Sequence, residues 1–529
     1  MSTFSLLIIG FLLLLLGQRF WGHLVNILMF PSRQQPAQVD ITGRLGTLAR
    51  SGGVLSIFGI SLAVTWGWAP AFVWIIISIA IFTVFTQSGI TWLSEFSEPR
   101  SSFLGIKSII GEKAAILCHL ALLSPLLLLV PFLLSVCAEL ILRHPALLIL
   151  LCIHLLFALA VQHFRSSNNF VVVTLLIVSL GLIFFIADWL SNNPTFIQLP
   201  QSQLTKYGVG IVLFLAVVAL KRYQKFLSGE AIAAVSTPAT FLCGFIIALV
   251  ICLEQPSIAI QAYYNDASFF SAVPLIFATI TLGLSSLVTA MDSSVSEHTP
   301  RRSNASFFEG CFALLVFLIL VSLPGKYPNI PVGLPNWFQG LTPLNTIEFM
   351  VQSFTNLAGN LPIASKHLQL FLLYLISVSG IILANSLFSF AVKTVNSEVI
   401  SVKSAHLNPT LLISLITAVI FGLFLSLNYS ANAWILIGTS SLLFLVTLHG
   451  TIFIGILRLQ RPILLISVIT CLSAVGLFSL LIMGGIFHSA RHETLFWLLP
   501  HGMISVLFCL IIWHISVLAY TIKRRRRDS

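Results

Sequence analysis

Hydroxyl side chains and one carboxylate gather at the end of an apolar run that covers residues 269 to 291. Residues three and four apart share a face of a helix, so Ser286, Thr289 and Ser293 line up, and Ser294 is adjacent to them. Buried hydroxyls in lipid need hydrogen-bond partners, so we expect this face to point into a helix bundle or a wet cavity and to bind a polar solute. A polar helix exit into the cytoplasm is the alternative interpretation of the same residues.

Titratable side chains are rare inside the apolar runs, and each is a candidate for ion coupling because a charge inside a bilayer is costly. His154 and His449 fall near the centres of two runs, where an imidazole can carry a proton near neutral pH. Asp292 and Glu309 flank one predicted cytoplasmic loop and complete the set of coupling candidates. Each histidine could instead form a structural hydrogen bond between helices, and Asn385 is a similar polar interior residue.

A second element of the predicted site is the short apolar run at residues 53 to 66. Its length of about 14 residues is too small for a straight crossing of a hydrocarbon layer about 30 Å thick. Glycine and serine interrupt it, which is typical of a broken helix that lines a cavity in a transporter. We therefore predict a substrate path between this run and the polar end of 269 to 294. Its substrate-binding residues are Gly53, Ser56, Gly59, Ser61, Ser286, Thr289, Ser293 and Ser294.

The composition predicts the kind of fold that carries these residues. The chain of 529 residues is 57% hydrophobic and only 8% charged, whereas soluble domains have about 25% charged residues. Roughly 15 apolar runs are candidate membrane spans. The sequence thus predicts an all-α, polytopic integral membrane protein with about 15 transmembrane helices, at least one of them broken, and no soluble domain.

The basic residues predict the orientation of the chain. When alternate loops are assigned to opposite sides, 22 of the 27 Lys and Arg residues fall on one side, which the positive-inside rule identifies as cytoplasmic. The N-terminus is then outside, and the basic tail from Lys523 to Arg527 is a cytoplasmic anchor. The net charge of +11 is explained by these span ends and by lipid headgroups, so that no nucleic-acid partner is predicted.

Motifs of known catalytic, nucleotide-binding and metal-binding sites are missing from the sequence. It contains no H-E-x-x-H, G-x-S-x-G or Walker A motif and no C-x-x-C pair, so we predict no enzyme activity, no cofactor, no metal site and no disulfide. A pump driven by ATP would need a soluble nucleotide-binding domain, which none of the loops can hold. An ion-coupled or proton-coupled carrier and a membrane protein without transport activity are the two classes left.

Several short blocks resemble one family in order and spacing. The segment from Phe277 to Gly283, continuing to Ser294, is similar to the F-x-T-I-x-x-G-x-x-S-x-x-H-x-x-x-S-S-G-T-T-P-K stretch of the carbon-starvation protein A (CstA) family of peptide and pyruvate transporters. The histidine of the family motif aligns with Thr289 of this chain. Five other blocks resemble motifs of the same family. Gly67, Pro70 and Trp74 resemble G-Y-x-P-x-x-x-W, Leu104 and Gly105 resemble L-G-E, and Ala239 to Leu242 resemble A-T-F-L. Trp434, Gly438 and Ser440 resemble W-P-L-F-G-x-S-N-Q, and Gly53 and Gly59 resemble the glycines of G-A-G-P-x-x-G-P.

This resemblance implies a secondary transporter of the bacterial inner membrane that carries small peptides or pyruvate-like carboxylates, is coupled to protons and acts in carbon starvation. It also implies a CstA-like transmembrane region over residues 1 to 400, followed at 401 to 529 by further helices and the basic tail. The charged and histidine positions of the family are largely replaced, as at Ile106, where the family has Glu. A divergent member that acts as a sensor or an assembly partner is therefore the alternative. The oligomeric state is not predicted.

Overall fold

The computed structural model contains only helices as regular elements in the part of the chain that it describes, and the all-α class is confirmed there. The described residues are 3–23, 72, 76, 80, 84–94, 102–164, 169–193, 199–200, 202–222, 314, 365–394, 409–428, 437, 440, 444, 447–452 and 454–455.

The helices of the described part are numbered in chain order. Helix α1 spans Thr3–Leu16 and continues into a π-helical turn at Gly17–Trp21. The helices that follow are α2 (Val84–Ser94), α3 (Ser102–Ile109), α4 (Glu112–Arg143), α5 (Ala146–Phe164), α6 (Asn169–Asn192), α7 (Gln203–Arg222), α8 (Ser365–Thr394) and α9 (Pro409–Asn428). Helical residues between 437 and 455 form one further stretch, here called the 437–455 segment.

Helices α4 and α8 form the centre of the described bundle. They pack against each other, α4 also contacts α3, α7 and α9, and α8 also contacts α5, α6 and α7. Both helices are long and apolar enough to cross a membrane, and both are mostly buried by their neighbours. The surrounding helices expose large apolar side chains, such as Phe11, Phe185 and Val212, as lipid-facing surfaces do. These helices and the apolar composition are the features expected of an integral membrane protein.

Two prolines inside α4 are accommodated by neighbouring groups. Pro125 has no N–H, so the carbonyl of Ala121 lacks its usual donor, and the Ser124 hydroxyl donates to that oxygen instead at 3.0 Å. Near Pro131, helix α9 packs closely against α4 through Gly422, where a Cβ atom would lie only 2.6 Å from the proline Cγ. Serine and glycine at these positions therefore keep a proline-containing helix at the core of the bundle.

The helix contacts also fix relative directions. Thr86, Gly89 and Trp92 of α2 meet His449, Ile452 and Gly455, and each pair is separated by 363 residues. A constant separation means that α2 and the 437–455 segment run parallel and in register. Likewise, a Cβ atom at Gly10 of α1 would meet Phe72, and one at Gly17 of the π-helical turn would meet Ala80.

The count of about 15 spans and the side on which each terminus lies stay predictions. The run at 53 to 66 and the polar segment at 269 to 294 lie outside the described residues, as does the boundary at residue 400.

Candidate functional site

The structure describes two of the predicted site residues, His154 and His449. The other members of the predicted substrate path and coupling set lie outside the described residues: Gly53, Ser56, Gly59, Ser61, Ser286, Thr289, Asp292, Ser293, Ser294 and Glu309. The geometry of the candidate site is therefore built around the two histidines.

His449 is fully buried between α2 and the 437–455 segment. Its ring Nε2 lies 2.9 Å from the hydroxyl oxygen of Thr86, which is also fully buried. The in-register packing of the two parallel helices brings these side chains to the same level. Because a hydroxyl both donates and accepts, Thr86 can satisfy either tautomer of the imidazole. The pair thus places a titratable ring in the interior of the described bundle.

Helix α4 contacts the 437–455 segment through Cys118. The Thr451 hydroxyl donates to the Thr447 carbonyl and lies 3.9 Å from the buried thiol sulfur of Cys118. Ser88 of α2 is also buried. Imidazole, hydroxyl and thiol groups can exchange protons and hydrogen bonds with a solute. In the part of the chain that the structure covers, no group of three His, Cys, Asp or Glu residues could hold a metal ion.

His154 forms the second buried pair, between α5 and α8. Its Nδ1 lies 2.5 Å from the Tyr374 hydroxyl, and the two rings meet edge to face with centroids 5.7 Å apart. Its Nε2 atom is buried and has no hydrogen-bond partner among the described residues. This ring is thus oriented by a tyrosine at one nitrogen, while the other nitrogen can bind a further polar group.

Polar contacts join the N-terminal end of α7 to the C-terminal ends of α4 and α9. Lys206 Nζ lies 3.7 Å from Glu139 Oε1, and both side chains are partly buried. The next residue, Tyr207, donates its hydroxyl to Asn428 Oδ1 at 2.8 Å, and its ring stacks on Phe424. Glu139 and Lys206 thus connect the ends of α4 and α7.

Sequence reasoning did not single out Thr86 and Tyr374. A threonine or tyrosine within an apolar run is common and carries no signal of its own. The position of Tyr374 three helical turns before Asn385 is the one feature that could have marked a polar face on α8.

Comparison with known proteins does not assign the chain to a family. No family model matches it, and no curated protein matches it. Two crystal structures of a manganese transporter from Eremococcus coleocola, one of a variant and one with an aromatic bis-isothiourea substituted compound, align over 94% of this chain. They are 12% and 13% identical, covering 99% and 98% of their own chains, with TM-scores of 0.28 and 0.32. TM-scores this low carry no argument about the fold or the substrate.

Proposed function

We propose that this protein is a secondary transporter that resembles the CstA family and carries small peptides or pyruvate-like carboxylates across the bacterial inner membrane. The observation that carries the proposal is the fully buried His449, paired with Thr86 in the interior of a bundle of apolar helices. A titratable ring inside a membrane bundle is costly and is typical of a proton path. The proton is therefore the proposed coupling ion.

The packing of Gly105 supports the resemblance. This glycine belongs to the block that is similar to L-G-E, and it lies where α3 crosses the end of α2. A Cβ atom at Gly105 would be 1.7 Å from the carbonyl oxygen of Leu93, so no side chain fits there. The fold thus gives a physical reason for the glycine of this block.

The proposed substrate path runs between the run at 53 to 66 and the polar segment at 269 to 294, with the N-terminus outside and the C-terminus in the cytoplasm. Asp292 and Glu309 are proposed as further coupling residues. Thr289→Val keeps the shape of the side chain and removes its hydroxyl, so we expect it to weaken uptake without affecting membrane insertion.

Uptake into membrane vesicles tests the proposal. Labelled dialanine, trialanine and pyruvate would be offered with and without an imposed pH gradient. We expect the gradient to accelerate uptake of one of them, and His449→Gln to abolish that acceleration. His23→Gln is the matched control because His23 is exposed at the end of α1. Uptake that ignores the gradient, or responds equally in both variants, contradicts the role of His449.

A non-transporting sensor or assembly partner is the second candidate, and two observations favour it. Ile106 stands fully buried where the family has Glu. In addition, the three acidic residues within the described part, Glu112, Glu139 and Asp188, all lie at helix ends rather than in helix interiors. If the protein inserts into the membrane and melts cooperatively but takes up none of the solutes, the result would support the non-transporting candidate.

A further inference from the structure

One face of α8 carries two side-chain oxygen atoms that are buried and unpaired in the described part of the chain. Asn385 Oδ1 and Ser389 Oγ are both enclosed and form no hydrogen bond with any described residue. Asn385 is only 9% exposed. Because the two residues are four positions apart, they are neighbours on the helix surface, about 6 Å apart along its axis. Here they are called the Asn385–Ser389 pair.

Other serines and asparagines in this structure satisfy their own side chains. Ser377 of the same helix donates its hydroxyl to the Leu373 carbonyl at 2.8 Å, and Asn428 of α9 donates its amide to the Phe424 carbonyl at 2.9 Å. The same local bond is made by Ser108, Ser124, Ser135, Ser191, Asn193 and Ser440. A serine in a membrane helix has this bond within reach at any position. Asn385 Oδ1 and Ser389 Oγ form no hydrogen bond of this kind, so both oxygen atoms are available to a group outside the helix.

The face that carries the pair is distinct from the one that packs on α4. Toward α4, Gly380 approaches Cys137 so closely that a Cβ atom would lie 3.0 Å from the sulfur, and that thiol contacts the Ser377 carbonyl at 3.6 Å. Tyr374 lies three turns before Asn385 and therefore on the same face as the pair. At the level of Tyr374, His154 already contacts this face of α8.

The distance along α8 separates these two polar levels. Eleven residues correspond to about 16 Å of helix, more than a dipeptide or a short carboxylic acid can bridge. One small solute can thus contact the pair without contacting His154. The pair is also close to the end of α8 at Thr394, which the charge bias assigns to the cytoplasm.

We infer that the Asn385–Ser389 pair is a hydrated binding subsite on the cytoplasmic half of the solute path. It takes an N–H or O–H donor group of the solute, because the Asn385 side-chain oxygen is an acceptor and the Ser389 hydroxyl accepts as well. The inference rests on the proposed function for the identity of the solute. The buried and unpaired state of the two oxygen atoms, from which the hydration is inferred, rests on the described geometry alone.

Cysteine accessibility in the full-length protein tests the subsite. Asn385→Cys, Ser389→Cys and, as the matched control, Ser377→Cys would be treated with a small charged methanethiosulfonate reagent in inverted membrane vesicles. The parental protein supplies the background of its native cysteines. We expect the first two to react at least about tenfold faster than Ser377→Cys, since thiol reactivity requires access to water. Equal rates at the three positions, or no reaction at the first two, overturn the inference.

Protection experiments test the ligand class. Dialanine, which has ammonium and amide N–H donors, should slow the modification of Ser389→Cys, while pyruvate, which has no donor at neutral pH, should not. Protection by pyruvate alone, or by neither solute, overturns the assignment of a donor-binding subsite. The labelling does not require transport. Fast labelling without uptake therefore rejects the proposed function and keeps the hydrated face, whereas uptake without labelling rejects the subsite only.

Discussion

Replacing Gly105 with alanine is the sharpest structural perturbation that this fold offers. The new Cβ atom would lie 1.7 Å from the Leu93 carbonyl oxygen and 2.7 Å from the Leu93 carbonyl carbon. Both atoms belong to the backbone at the end of α2, so no rotation of a side chain can relieve the clash. Helix α3 must move away from α2, or the end of α2 must deform.

The size of the effect follows from the geometry. Carbon and oxygen atoms normally approach no closer than about 3.3 Å, so α3 must shift by about 1.6 Å. Such a shift also disturbs the fully buried Ile106 and the contact of Phe103 with His119, whose ring centroids are 4.5 Å apart. Overpacking of this kind costs about 1–3 kcal/mol, and alanine recovers up to about 1 kcal/mol of helix propensity. A net loss of about 1–2 kcal/mol is expected, which lowers the ratio of folded to unfolded protein roughly 5- to 30-fold.

Thermal melting of the purified protein in detergent measures this loss. Gly181→Ala in α6 and Gly208→Ala in α7 are matched controls, because a Cβ atom at either position has no neighbour within 4 Å. We expect both controls to melt at or slightly above the parental temperature and Gly105→Ala to melt below it. If Gly105→Ala melted together with its controls, the close crossing of α3 over α2 would be wrong.

Three further predictions test other contacts. Tyr374→Phe removes the buried partner of His154 and should destabilise by about 1–3 kcal/mol in thermal melting, more than Tyr207→Phe, whose hydroxyl bond lies at an exposed end. Lys206→Gln breaks the partly exposed pair with Glu139 and should cost at most about 1 kcal/mol at low salt and less at high salt. An equal loss at both salt concentrations would contradict an electrostatic role. Reporter fusions test the span count, which is wrong if two of four disagree with a cytoplasmic position after Arg222, Arg302 and Arg461 and an outside position after Asp266.

The helical class and the positions of the two long helices follow from the sequence alone. Runs of apolar residues predicted helices at 114 to 141 and 368 to 390, and α4 and α8 cover those runs. This succeeds because membrane insertion depends on the composition of a single segment, a property that is local in sequence. For the same reason, the sequence placed His154 and His449 inside apolar segments and marked both as titratable groups in the bundle.

The contacts of the His154 and His449 side chains follow from the tertiary structure and not from the sequence pattern. The partner of His449 is 363 residues away, and helical periodicity states which residues share a face but not which helix covers that face. The same holds for Gly105, whose need for glycine comes from the Leu93 carbonyl of another helix. It holds also for Asn385 and Ser389, because a polar residue in an apolar run looks alike whether its hydrogen bonds are made or unmade. Contacts between helices distant in sequence are set by packing, and packing exists only once the helices have assembled.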